Sequence, residues 1–187
     1  MQISEPAEYA ILGLLKARPM HGYEMFRQFT SGTIGQIIHL EMSQMYAYLK
    51  KLEGMAYVEA ELEPQGTRPP RKIFHLTATG QALFLEWLKE PVEKPRDIRI
   101  LFLIKLYFMQ RFAPDQQMRL IERQIQACER FLAHLESQQP ETCPPAKGPL
   151  ACTDDTAFFN RIVLRSRIHQ TRSLLDWMRE LQQEPGI

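Results

Sequence analysis

Apolar residues recur along this chain with two periods, and the points where the period changes divide it into elements. Ala7, Ala10, Ile11, Leu14 and Leu15 fall on one face of a helix that Ser4-Glu5-Pro6 starts and Pro19 ends. A second helix opens at His21-Gly22-Tyr23-Glu24, with Tyr23, Phe26 and Phe29 or Thr30 near one side; the turn-rich stretch from Thr30 to Gly35 breaks it. A third starts near Glu41–Ser43. Its apolar positions Met42, Met45, Leu49 and Leu52 are spaced three, four and three, so they face inward. At about 100° per residue, Ser43, Ala47 and Lys50 lie on the opposite face, with Gln44 and Lys51 beside them and Tyr46 on the flank. The period then drops to two. Val58, Ala60 and Leu62 alternate with Tyr57, Glu59, Glu61 and Glu63, and Phe74 and Leu76 alternate with Ile73, His75 and Thr77. Between these runs lies Pro64-Gln65-Gly66-Thr67-Arg68-Pro69-Pro70-Arg71, which neither a helix nor an inner strand accommodates, so a hairpin with a stiff tip is predicted. Thr77 or Thr79 can cap the next helix, which packs through Leu83, Phe84, Trp87 and Leu88.

Glu90-Pro91-Val92-Glu93-Lys94-Pro95 reads as the boundary between a domain of residues 1–90 and one of residues 91–187. Beyond it the pattern is helical throughout. Ile98 to Phe112 is apolar nearly all round and should be buried on most sides. Pro114-Asp115 starts a long helix whose Met118, Ile121, Ile125, Cys128, Leu132 and Leu135 form a heptad-like seam seeking another helix. Residues 140–153 hold four prolines and read as a loop. Asp154-Asp155 begin a last helix to about Gln183, with a wide apolar face including Leu164, Ile168, Leu175, Met178, Leu174, Trp177 and Leu181. The fold expected is mainly α, with α+β character in the N-terminal part: a winged helix-turn-helix domain followed by an all-helical dimerisation domain.

Three helices followed by a hairpin is the order of a winged module, which offers one helix and one loop to double-stranded DNA. A small, polar and basic outer face suits a groove that bulky side chains would block. Ser43, Gln44, Tyr46, Ala47, Lys50, Lys51, Arg68, Arg71 and Lys72 are therefore the candidate DNA contacts. Gln44 can present a bidentate amide to adenine and Lys50 can reach guanine. Tyr46 is suited to donate to a phosphate or to pack under the wing. Arg68, Arg71 and Lys72 suit phosphate or minor-groove contact. An ordinary solvated helix face is the plainer account of the helix residues; the wing that follows favours DNA. A half-site read by one small module is weak without two-fold coupling, so a homodimer is expected through Met118, Ile121, Ile125, Cys128, Leu132 and Leu135 together with Leu164, Ile168 and Leu175. The same seam could instead pack within one chain. Arg161, Arg165, Arg167 and Arg172 fit a solvated face or pairing with acids of the long helix.

Charge refines this picture. The chain has 23 basic and 22 acidic residues, and residues 1–89 hold nine of each, so DNA contact must come from local clusters rather than net charge. Three cysteines, Cys128, Cys143 and Cys152, without Cys-x-x-Cys spacing suggest a reducing compartment. Cys128 lies on the apolar seam, and a redox pair of Cys143 and Cys152 is the minor alternative to two plain thiols. No apolar run reaches the roughly 18 residues of a membrane span, and the N-terminus lacks the order of a signal peptide, so a cytoplasmic location is expected. The five histidines lack metal-ligand spacing, and neither a phosphate loop nor a nucleophile elbow occurs; no enzyme, metal or cofactor is expected. Trp87, Tyr107, Phe108 and Trp177 read as core, with an effector pocket as the minor alternative. The rival class is a protein-interaction adaptor using a winged fold without DNA, which would have no need of the Arg68, Arg71 and Lys72 cluster.

The chain resembles the PadR-like transcriptional regulators at Ala10-Ile11-Leu12-Gly13-Leu14-Leu15, Pro19-Met20-His21-Gly22-Tyr23-Glu24, Tyr46-x-x-Leu49-x-x-Leu52-Glu53 and Arg71-Lys72-Ile73-Phe74-His75-Leu76-Thr77-x-x-Gly80. Leu62-Glu63-Pro64-Gln65 and the large helical second half look most like the virulence-activator (AphA-type) branch. The motifs cover roughly residues 7–90. The resemblance implies a homodimer held by C-terminal helices on a two-fold operator, and a response to a small aromatic or hydrophobic effector. The pattern departs from the family at Ala56, where glycine is usual after the recognition helix; Gly54 stands two residues earlier.

Overall fold

The computed structural model describes residues 3–65, 68–93, 95–138 and 155–184; Cys143, Cys152 and the loop expected over 140–153 lie outside these. The elements in chain order are α1 (Pro6–Ala17), β1 (Met20–His21), α2 (Gly22–Ser31), α3 (Met42–Gly54), β2 (Val58–Gln65), β3 (Arg68–Leu76), α4 (Ala78–Lys89), α5 (Pro95–Phe112), α6 (Gln117–Ser137) and α7 (Asp155–Leu181), with a short 3-10 turn at Thr33–Gln36. This is the mainly helical architecture expected, with its β structure confined to the N-terminal part.

By contact the chain forms two compact units. One comprises Met1–Glu90 and Arg96–Pro114, the other Pro91–Pro95 and Asp115–Ile187. Helix α5 thus belongs with the first unit, although it lies beyond the boundary expected after residue 90. Its Ile98, Phe102, Ile104, Phe108 and Met109 are buried, as its all-round apolar pattern requires. The close approach is made at Gly13 of α1: a Cβ there would stand 2.4 Å from Phe108 Cζ. Lys105 is buried too. Its ammonium donates to the Trp87 carbonyl and lies 3.9 Å from the centroid of the Trp87 ring, which also stacks on Tyr9 at 4.1 Å.

The strands form one antiparallel sheet in the order β1-β3-β2. β1 is a strand the alternation did not reveal, since it is two residues long and pairs only Met20 with Phe74 and His21 with Ile73. The β2–β3 hairpin runs further than expected. Pairing continues from Val58↔Leu76 through Glu63↔Arg71, and after an irregularity reaches Gln65↔Arg68. Prolines are tolerated at 69 and 70 because they fall in this irregularity of the β2 pairing, and because β1 pairs only with Ile73 and Phe74 and so does not reach that part of the other edge of β3. In α2 the buried side is Gly22, Met25 and Phe29; of the residues the spacing places near one side with Phe29, Tyr23 is exposed and Phe26 is only half-buried.

The exit of α3 bears on the site. Tyr57 N–H bonds to the Leu52 carbonyl and Ala56 N–H to the Glu53 carbonyl, both at 3.0 Å, which closes the helix in a Schellman turn. Ala56 takes the left-handed position of that turn, with φ 56°. Thr77 joins this exit to the next helix: its hydroxyl donates to the Ala56 carbonyl at 2.8 Å and accepts from Gly80 N–H at 3.0 Å, capping α4.

In the second unit, α6 and α7 run antiparallel, tied by Arg172–Glu136 at 2.6 Å and Arg179–Glu129 at 2.9 Å. The connection into this unit is held by Gln124, whose amide accepts from Val92 N–H at 2.6 Å and donates to the Val92 carbonyl at 2.8 Å. No helix among the described residues is long and apolar enough to cross a membrane.

Candidate nucleic-acid interface

Helix α3 turns Met45, Leu49 and Leu52 into the core and leaves Ser43, Gln44, Tyr46, Ala47 and Lys50 exposed. The inward spacing of three and four residues forces this division. Glu41 caps the helix: its carboxylate accepts from the backbone of Gln44, whose side-chain oxygen accepts from Glu41 N–H at 2.9 Å. Gln44, expected as the adenine reader, is therefore also a capping residue, and reading a base with both amide atoms requires it to release that bond.

The two adjacent lysines part company. Lys50 is exposed and makes no ion pair among the described residues. Lys51 is turned inward, with its ammonium 2.5 Å from Glu8 Oε1 and only 21% of its side chain exposed. Tyr48, beside them, has its hydroxyl pushed above the usual phenol range by burial and then by the carboxylates of Glu5 and Glu8, so it stays a neutral donor.

The wing lies beside this face. Arg71 and Lys72 are exposed on β3; the side chain of Arg68 is outside the described residues. Lys72 reaches Glu53 at 3.8 Å, an exposed pair too weak to hold it against a phosphate. Arg71 makes no ion pair among the described residues. The opposite strand carries the acids: Glu59, Glu61 and Glu63 are exposed on β2, and Glu63 lies 3.2 Å from His21 Nε2 while Glu61 lies 3.4 Å from His75 Nε2. The neutral sum of this half thus conceals a separation of charge between the two strands of the hairpin.

His21 donates from Nδ1 to the Lys72 carbonyl at 2.9 Å and so fastens the start of α2 to the wing. A surface cleft of about 640 Å³ opens there, lined by His21, Gly22, Tyr23, Glu24, Tyr46, Arg71, Lys72 and Phe74, with the Glu24 carboxylate paired to Arg18. Helix α2 begins at Gly22 with no side-chain cap, so its first N–H groups and the positive end of its dipole stand at this cleft. Tyr23 is 61% exposed here and was not among the sequence candidates; its place directly after His21-Gly22 at a helix start was the available signal.

Of the residues expected at a dimer interface, Ile121, Ile125, Cys128, Leu135, Ile168 and Leu175 are buried within the single chain, and Met118, Leu132 and Leu164 are half-buried. Burial pushes the Cys128 thiol up, so it is a packing group rather than a reactive one. What stays uncovered is the first half of α7, where Phe158, Phe159, Ile162 and Val163 are 58, 63, 47 and 40% exposed. Sequence periodicity had not singled these out.

Residues 11–86 match the family model of the transcriptional regulator PadR-like family, and residues 98–184 match that of the virulence activator alpha C-terminal domain. The negative transcriptional regulator PadR of Bacillus subtilis is 25% identical over 174 residues, 93% of this chain and 94% of its own length. A probable transcriptional regulator of Mycobacterium tuberculosis is 31% identical over 88 residues, 47% of this chain and 46% of its own. The crystal structure of Bacillus subtilis PadR in complex with operator DNA aligns with a TM-score of 0.46 at 24% identity, covering 94% of this chain and 97% of that one. The first half carrying the winged module and the second the virulence-activator type of helical domain, the chain belongs to the PadR-like family of transcriptional regulators.

Proposed function

We propose that this regulator acts as a homodimer that reads an inverted repeat in double-stranded DNA, with α3 entering the major groove and the wing touching the backbone. The observation that carries the reading is the common surface of α3 and the wing: exposed Ser43, Gln44, Ala47 and Lys50 stand beside a cleft edged by Arg71, Lys72 and Tyr46. Lys50 reaches guanine O6 and N7, and Gln44 exchanges its bond to Glu41 for adenine. A phosphate fits the cleft, where the first N–H groups of α2, the Tyr46 hydroxyl and the two wing cations supply donors. An adaptor without DNA has no use for this set.

The two-fold partner is a second copy of the chain, seated on the uncovered apolar face of α7. A small aromatic or hydrophobic effector belongs to the same reading on family membership alone, and a reducing cytoplasm as the place of action on the cysteine pattern. Selection of binding sites from random duplexes by the purified protein tests it: an inverted repeat is expected, and enrichment of no sequence would overturn the reading.

A further inference from the structure

Besides Lys105, a second buried charge lies outside the DNA-facing set. Glu8, on α1, has a fully buried side chain. A carboxylate so placed is strongly unfavourable unless every lone pair finds a donor. Its Oε2 accepts from the backbone N–H groups of Ser4 at 2.9 Å and Glu5 at 3.1 Å. Its counter-charge comes from elsewhere: Lys51 of α3 approaches Oε1 at 2.5 Å, and its ammonium also donates to Ser4 Oγ at 3.4 Å.

The rest of the inward face of α3 is Met45, Leu49 and Leu52. Apolar contacts of this kind fix the rotation of a helix only coarsely, to within the width of the buried stripe, because they have no direction. The Lys51–Glu8 ion pair fixes it more closely, since it joins one point on α3 to one point on α1 across 2.5 Å. Neighbouring residues on a helix project about 100° apart, so a Lys51 turned in to Glu8 leaves Lys50 turned out.

We infer that Glu8 and Lys51 form a positioning pair that sets the rotation of α3 at the duplex, with Lys50 as the lysine that meets the DNA. This rests on the DNA-binding reading above. It assigns the two lysines opposite duties: losing Lys50 removes a cation from the interface, whereas losing Lys51 leaves the cations in place and lets the reading face turn.

The salt dependence of binding separates these duties, using the full-length protein, a duplex selected from the random pool, and a scrambled duplex. Lys50→Gln is expected to lower the slope of log affinity against log salt by about 0.9 per protomer. Lys51→Gln and Glu8→Gln are expected to keep the wild-type slope and to lose about tenfold in preference for the selected over the scrambled duplex. The double variant should lose no more than either single one, and Lys51→Arg should restore preference. A fall in slope for Lys51→Gln equal to that of Lys50→Gln would overturn the inference in favour of direct contact. Unchanged preference with only a lowered melting temperature would overturn it in favour of a plain structural pair. If Glu8→Gln or Lys51→Gln does not fold, Lys51→Arg decides, since the inference requires it to keep both slope and preference. A wild-type protein that prefers no duplex defeats the DNA reading itself, a result distinct from either.

Discussion

The ring of Tyr46 closes over Gly22: a methyl group built at Gly22 would stand 2.9 Å from Tyr46 Cε1 and 3.2 Å from its hydroxyl oxygen. The start of α2 and the flank of α3 therefore share one small space, and the side chain in it belongs to the DNA-facing set. Tyr46 is half-exposed and can swing away, so Gly22→Ala should alter stability by no more than about 0.5 kcal/mol. Its expected effect is on DNA, a loss of roughly tenfold in affinity as the hydroxyl leaves the cleft, which amounts to about 1.4 kcal/mol. Tyr46→Phe should reproduce the loss. Fluorescence anisotropy with a labelled duplex and urea unfolding measure the two quantities; unchanged affinity in both variants removes Tyr46 from the interface.

Gln44 has two tasks that substitution can divide. Gln44→Ala removes the bond to Glu41 N–H and the amide for adenine, and should cost about 0.5–1 kcal/mol of stability together with about 1–3 kcal/mol of sequence discrimination. Gln44→Glu keeps a cap acceptor but loses the amide donors and adds a negative charge. Its melting temperature should match the wild type while its affinity falls. Equal binding by wild type and Gln44→Glu would show that this side chain only caps.

Ala56 and Gly54 each occupy the position that suits the other. Ala56 sits at φ 56°, where a Cβ costs about 1 kcal/mol, and Gly54 ends α3 with open space where its Cβ would be. Gly54→Ala should stabilise by about 0.5–1 kcal/mol, and Ala56→Gly by up to about 1 kcal/mol less the entropy that glycine restores to the unfolded chain. Urea midpoints report the result. A destabilised Ala56→Gly would mean that the turn is not strained.

Gly13 faces the opposite condition. A methyl group there meets the Phe108 ring at 2.4 to 2.6 Å inside a closed core, where Phe84 and Phe112 are edge-on and stacked neighbours of the same ring. Gly13→Ala is expected to destabilise by about 1–3 kcal/mol. Gly13→Ala combined with Phe108→Leu should be more stable than the sum of the single losses predicts, a coupling that a double-mutant cycle measures.

The uncovered face of α7 makes a separate prediction. Phe159→Glu and Ile162→Glu replace exposed residues, so the helix should survive, as far-ultraviolet circular dichroism would show. Sedimentation velocity should find the wild type dimeric and both variants monomeric at micromolar concentration. Variants that remain dimeric would move the interface off this face, and a monomeric wild type would remove the dimer altogether.

Much of the winged unit is legible in the spacing of residues, because Met45, Leu49 and Leu52 can all be buried by only one rotation of α3, and because Val58 and Phe74 keep strict alternation. What the spacing does not reveal depends on partners distant in the chain. Two adjacent lysines look alike until α1 supplies Glu8 beneath one of them. The capping role of Gln44 was obscured because the residue three positions before it is Glu41, not the serine or threonine that usually marks a capping box. Prolines 69 and 70 suggest a loop, whereas the irregular pairing with β2 and the shortness of β1 let a strand pass through them. The seam on α6 has one period whether its partner is α7 or another molecule, so spacing could not choose between them. Phe158 and Phe159 do not stand out in the sequence because the wider apolar face farther along α7 dominates the pattern.

Phe108 reaches Gly13 from beyond the proline-bounded stretch, while that stretch is gripped through Val92 by Gln124. A truncation after Glu90 would accordingly amputate a wall of the amino-terminal body and leave Gly13 as an empty notch. The smallest excised piece able to retain that wall extends to Pro114, and it carries Pro91–Pro95 along as a tether cut from its mooring.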